Sequence, residues 1–156
     1  MIKLTRIDDR LVHGQVAFTW VSSLSIDCLV VANDKVAKDD FQKMAMSLAK
    51  PPTAKLFILT LAEAVTFLND SKSKNAKILL LVNCVRDALT LSKEVSEIQS
   101  VNFGGIRTKD GAKLITKAIA VSDDDITVIN QMLERGIELE IRQVPTDKKQ
   151  LVKNLI

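Results

Sequence analysis

Short apolar, β-branched runs alternate with longer helix-periodic ones along nearly the whole chain, and this alternation restricts its fold more than any other feature. Ile2 to Asp8 carries Ile2, Leu4 and Ile7; Asp27 to Ala32 contains Cys28-Leu29-Val30-Val31; Lys55 to Leu59, Lys77 to Val82 and Ser100 to Phe103 follow. Between them, apolar residues recur three and four apart: Val16, Trp20 and Leu24; Ala37, Phe41, Met44, Ala45 and Leu48; Leu61, Ala64, Val65 and Leu68; Val85, Ala88, Leu89 and Ser92. Such spacing turns one apolar stripe of a helix toward a core. Runs as apolar as 28–32 and 78–82 suit strands buried on both faces. The alternation predicts βαβ units in a single three-layer α/β/α domain, residues 1–156, with a mostly parallel central sheet of about six to seven strands.

Local signals set the boundaries. Pro51-Pro52 stops the second helix, and Thr60 with Glu63, like Ser122 with Asp125, forms a capping signature. The polar stretch 69–75 reads as a loop and 107–113 as an exposed turn. Ile115 to Val121 reads as one further strand, followed by a helix bearing Ile126, Ile129 and Leu133 that Gly136 ends. Ile137 to Arg142 alternates like an edge strand, and Pro145-Thr146 is expected to open a last helix with Leu151, Val152 and Leu155.

Composition excludes several classes. No apolar run approaches the ~18 residues of a membrane span. Twenty-two basic against nineteen acidic residues leave +3, but the signs are interspersed and tyrosine is absent, which argues against a nucleic-acid surface. Cys28 and Cys84 each sit in an apolar run, as small buried residues of a reducing cytoplasm do, and no signal-peptide pattern precedes Ile2. With one histidine and no Cys/His cluster, no metal site is expected, and no glycine-rich nucleotide motif occurs.

Ligands of open parallel sheets bind outside the carboxyl ends of the strands. Of the segments placed there, Asp8 to Gln15 is the one rich in chemistry. His13, the sole histidine, lies between the first strand and the first helix, where the backbone N–H groups of Gly14, Gln15 and Val16 are free to face an anion on the ring. Arg6 and Arg10 offer guanidinium forks suited to phosphate oxygens, and Asp8 or Asp9 can orient an arginine or the imidazole. This reads as a histidine that accepts a phosphoryl group. The same residues also read more plainly: His13 as an exposed surface group, Asp8-Asp9 as a strand-ending turn, Asn33-Asp34 as a helix cap, Gly104-Gly105 as a tight turn, Trp20 as core. Asn33, Asp34, Gly104 and Gly105 are in either case the rim candidates for a site at this end of the sheet.

The stretch Arg6-Ile7-Asp8-Asp9-Arg10-Leu11-Val12-His13-Gly14-Gln15-Val16, with Trp20 following, resembles the opening signature of the IIB components of the bacterial phosphoenolpyruvate-dependent sugar phosphotransferase system, mannose/fructose/sorbose family. The resemblance continues through residues 31–37, Pro51-Pro52, Asn102-Phe103-Gly104-Gly105 and residues 136–147. It implies an α/β domain whose histidine, at the position of His13, takes a phosphoryl group from a IIA component and passes it to a sugar held by membrane IIC and IID components. No cofactor beyond the covalent phosphohistidine is implied. Arg10 matches the arginine that meets the phosphoryl group, and Asp8 and Arg6 match residues that shape the loop; Asp9 falls where the family varies. The resemblance further implies a cytoplasmic subunit meeting the membrane peripherally; family members are often fused to IIA, but this chain begins at the first strand and ends after the last helix, so IIA is expected as a separate chain. Ile106 and Asn83-Cys84-Val85 depart from the pattern without touching the carrier motif. Two other classes compete. A receiver-like signalling module would use Asp8-Asp9 but needs an aspartate where Leu59-Thr60 stands; a non-catalytic small-molecule-binding domain would leave His13 incidental.

Overall fold

A computed structural model describes residues 1–156. Five strands, β1 (Ile2–Asp8), β2 (Cys28–Ala32), β3 (Lys55–Leu59), β4 (Ile78–Val82) and β5 (Ser100–Gly105), fall on the five apolar runs. The helices between them are α1 (Gly14–Leu24), α2 (Asp40–Ala49), α3 (Leu61–Asn69) and α4 (Val85–Glu94). A two-stranded hairpin, β6 (Lys113–Thr116) and β7 (Ile119–Val121), precedes α5 (Asp123–Glu134), β8 (Glu138–Ile141) and a short β9 (Gln150–Leu151). The main sheet has seven strands in the order β3-β2-β4-β1-β5-β8-β9, parallel except for the β8–β9 pair. No helix is long and apolar enough to cross a membrane.

Strand periodicity divides the core. Ile78, Leu80 and Val82 of β4 face α3, α4 and α5, packing with Ala64, Ala88, Leu91, Ile129 and Met132. Leu79 and Leu81 face the other way, toward Ala17, Trp20 and Val21 of α1 and Met46 of α2. Burial on both faces is why these runs read as continuously apolar. Both capping signatures close as full boxes, Thr60 with Glu63 and Ser122 with Asp125. Because α1 leaves β1 toward one face and α5 lies on the other, the chain parts between the carboxyl ends of β1 and β5, where a ligand crevice belongs in such sheets.

Three expectations fail. The expected strand 115–121 is the β6–β7 hairpin, turned at Lys117-Ala118 and lying outside the main sheet. No α-helix follows Pro145: the Asp147 carboxylate accepts the N–H groups of Gln143 and Val144 in a turn, and Leu151 pairs with Glu140 as β9, so β8 is not the edge; the expected helix shrinks to one 3-10 turn, Val152–Asn154. Pairing against β8 and burial of Val152 outweigh the helical spacing of Leu151, Val152 and Leu155. The expected core stripe of α2 faces solvent, with Phe41 82%, Met44 64% and Leu48 83% exposed; Met46, on the opposite side of the helix, is buried instead.

Candidate active site

The β1–α1 loop is built as a rigid hook. The Asp8 carbonyl accepts the Leu11 N–H at 2.9 Å, and Oδ1 of Asp8 accepts the Arg10 N–H at 3.0 Å. Leu11 takes a left-handed φ of 57°, a costly conformation for a leucine, and is held there because its side chain and that of Val12 are buried in the core under α1. His13 follows in extended conformation as the N-cap of α1, its side chain making no cap bond. The first N–H of the helix ladder is that of Ala17, donated to the His13 carbonyl, so those of Gly14, Gln15 and Val16 precede the ladder.

The imidazole is held from one side. Its Nε2 lies 2.8 Å from Oδ2 of Asp8, and the same oxygen accepts from Nη2 of Arg6 at 3.1 Å. A carboxylate has only acceptors, so Nε2 carries the proton and Nδ1 holds a free lone pair. No protein group bonds Nδ1. The His13 side chain is 17% exposed, half-buried rather than the open surface residue of the plainer reading, while Arg6 and Asp8 are buried. The Arg10 side chain is exposed and makes no ion pair, free to meet a group on the ring.

Arg6 is enclosed. Its Nη1 donates to Oδ1 of Asn102 at 2.7 Å and to the Arg142 carbonyl at 3.0 Å, and its guanidinium lies 5.6 Å from the centre of the Trp20 ring. Burial pulls the Arg6 guanidinium below its ordinary value, opposed by the charges of Asp8 and Glu140. The Arg142 guanidinium lies 5.2 Å from the same ring and is held up by its hydrogen bonds to Glu140. Trp20 is core, as expected, but also donates Nε1–H to the Gln143 carbonyl.

Of the rim candidates, the glycines join the site and the acidic turn does not. Gly104 lies against Arg6 and Gly105 beside Asp8, its carbonyl accepting the Asp9 N–H. Asn33 caps the turn after β2 by accepting the Val36 N–H, and Asp34 accepts the Leu61 N–H at the start of α3. Both side chains are thereby committed to turns two strands from β1. Sequence reasoning reached Asn102 only as the first residue of the Asn102–Gly105 segment, and passed over Arg107, which pairs with Asp9, and Glu140 and Arg142, which join Asn102 in a row. Their only signal was that they fall within or beside the later stretches of the resemblance. No group of three His, Cys, Asp or Glu residues is placed to hold a metal ion.

The family of PTS system sorbose subfamily IIB components matches residues 2–156. This chain belongs to that family. It is 33% identical over 147 residues to the sorbose-specific EIIB component of Lacticaseibacillus casei, covering 94% of this chain and 90% of that one. It is 34% identical over 156 residues to the mannose-specific EIIAB component of Escherichia coli K12, of which it spans 48%. The crystal structure of the IIBSor domain of the Klebsiella pneumoniae sorbose permease superposes with a TM-score of 0.94 at 28% identity, covering 99% of this chain and 94% of that one. The N-acetylgalactosamine-specific IIB component 1 of Escherichia coli gives 0.90 at 32%, covering 96% and 98%. As a IIB component, the protein is a phosphoryl-transfer subunit of a sugar phosphotransferase system, working with a IIA component and a membrane IIC component. The receiver-like and non-catalytic readings are not favoured.

Proposed function

We propose that His13 is the transient phosphoryl carrier and that the group sits on Nδ1. The observation that carries this is the 2.8 Å contact between Nε2 and Asp8, which leaves Nδ1 as the one nitrogen with an available lone pair. In the forward step, Nδ1 attacks the phosphorus of a phosphohistidine on IIA. The new N–P bond forms as the old one breaks and the IIA imidazole leaves. The proton on Nε2 stays in place, and the Asp8 carboxylate offsets the positive charge that the substituted ring acquires. Exposed Arg10 supplies a fork for the phosphoryl oxygens, and the N–H groups of Gly14, Gln15 and Val16 supply fixed dipoles. In the second step a sugar hydroxyl attacks the same phosphorus and gives up its proton to water, and the Nδ1–P bond breaks with its electron pair returning to Nδ1, restoring the neutral ring. Positioning and charge are all this transfer asks of the protein, so no cofactor enters.

The donor in this reading is a IIA component, and the acceptor sugar is held by membrane IIC and IID components. The subunit works in the cytoplasm, meeting the inner membrane face through them. Relatives named for sorbose, mannose, fructose and N-acetylgalactosamine resemble this chain, which supports placing sugar choice in the membrane components. Phosphorus–nitrogen coupling in 15N-histidine-labelled protein, charged by phospho-IIA, tests the assignment. Coupling to Nδ1 is expected; coupling to Nε2 would overturn it.

A further inference from the structure

We propose that Glu140 is a positioning residue for phosphoryl carriage, acting through Asn102 and Arg6 on the Asp8 carboxylate that holds His13. This rests on His13 as the carrier and extends the machinery across three strands.

Arg6, Asn102 and Glu140 occupy one rung of the sheet: Arg6 of β1 is in register with Asn102 of β5, and Asn102 with Glu140 of β8. Arg6, Asp8 and Glu140 are the three charged residues buried in the chain, and all lie in this row. Every link is a hydrogen bond. Oε1 of Glu140 accepts Asn102 Nδ2 at 3.1 Å, Oδ1 of Asn102 accepts Arg6 Nη1, and Arg6 Nη2 reaches the Asp8 oxygen that also holds His13 Nε2. Arg142 closes the far end, with Nε and Nη2 on the two Glu140 oxygens at 3.0 and 2.9 Å.

The row has a direction. An amide presents a donor on one side and an acceptor on the other. Glu140 and the Arg142 carbonyl only accept, so the Asn102 NH2 group, bonded to both, faces them and the Asn102 oxygen faces Arg6. With Nη1 held by both Asn102 Oδ1 and the Arg142 carbonyl and its plane over Trp20, Arg6 directs Nη2 to the Asp8 carboxylate. The orientation of that carboxylate, and so of the ring, is therefore supported from the β8 end of the row, by Glu140 together with the Arg142 carbonyl. A rung needed only to join strands is as stable or more so when apolar. This one is ionic, and of its two ends one is the phosphoryl carrier.

Steady-state phosphoryl acceptance from charged IIA tests this in the full chain. Glu140→Gln offers one oxygen to the three donors that Glu140 holds, Asn102 Nδ2 and Arg142 Nε and Nη2, so the row loses a link at this end; kcat should fall about tenfold or more with KM for phospho-IIA unchanged, since the buried Glu140 offers no surface to a partner. Asn102→Ala leaves the Glu140–Arg142 pair intact and should show the same kcat loss, which keeps the test available if Glu140→Gln does not fold. Unchanged kcat in a folded single variant, or a loss that appears in KM for phospho-IIA with kcat unchanged, would overturn the proposal. If wild type takes no phosphoryl group on His13, the carrier reading itself fails, and that outcome is seen before any variant is assayed.

Discussion

Gly104 and Arg6 fill each other's space: a Cβ on Gly104 would fall 2.0 Å from Cζ of Arg6 and 2.2 Å from Nη2. The end of β5 can run this close to β1 only because residue 104 has no side chain, and Arg6 can reach Asp8 and Asn102 only because β5 yields that room. Gly104→Ala should therefore displace the guanidinium and leave Asp8 short of a buried partner. A loss of about 2–4 kcal/mol in denaturant unfolding is expected, together with slowed phosphoryl acceptance. An alanine variant with wild-type stability and rate would mean that Arg6 has a second, equally good position.

Arg10 contributes differently. Its backbone N–H helps fix Asp8, while its exposed side chain makes no ion pair. Arg10→Ala keeps the backbone bond and removes only the fork, so stability should hold while transfer slows by one to a few orders of magnitude, about 2–4 kcal/mol of transition-state stabilisation. Stopped-flow transfer from phospho-IIA measures this, and an unaltered rate removes Arg10 from the mechanism.

Helix α2 gives a prediction opposite to its sequence pattern. Phe41→Ser and Leu48→Ser should each change stability by no more than about 0.5 kcal/mol, because both side chains already face water. Met46→Ala, by contrast, should cost about 2–5 kcal/mol. Urea midpoints for the three variants decide it; a large loss at Phe41 or Leu48 would mean that the stripe is covered.

Both cysteines should resist alkylation. Burial, aided by the charge of Asp27, pushes the Cys28 thiol up to about 11, and burial likewise raises that of Cys84. The thiolate is the reactive form, so at pH 8 only about one Cys28 in a thousand is poised to react. Iodoacetamide labelling of the native chain should be slow at pH 8 and rise with pH up to that value, whereas denatured protein labels at once. Rapid native labelling of Cys28 at pH 8 would contradict the burial of that thiol.

The fold was legible where periodicity and burial agree. Runs such as Ile78 to Val82 are apolar on both faces because helices cover both faces, and Thr60 with Glu63 marks a helix start through its own hydrogen bonds. Periodicity could not tell that the apolar stripe of α2 points outward, since spacing defines a stripe and not what it faces. Nor did it register the turn at Lys117-Ala118, which carries no glycine or proline, or the extended path of Leu151, which depends on pairing with distant Glu140. In the site, His13, Asp8, Arg6 and Arg10 lie within eight residues and were found together. Asn102, Glu140 and Arg142 come to Arg6 only through the parallel register of β1, β5 and β8. No local pattern announces that rung.

Intact mass after incubation with phosphoenolpyruvate, the two general phosphotransferase proteins and a cognate IIA component tests the central claim most directly, on wild type and His13→Ala. The account predicts one acid-labile phosphoryl group on wild type and none on a folded His13→Ala variant. A phosphoryl group retained by His13→Ala, or none on wild type beside fully charged IIA, would contradict it.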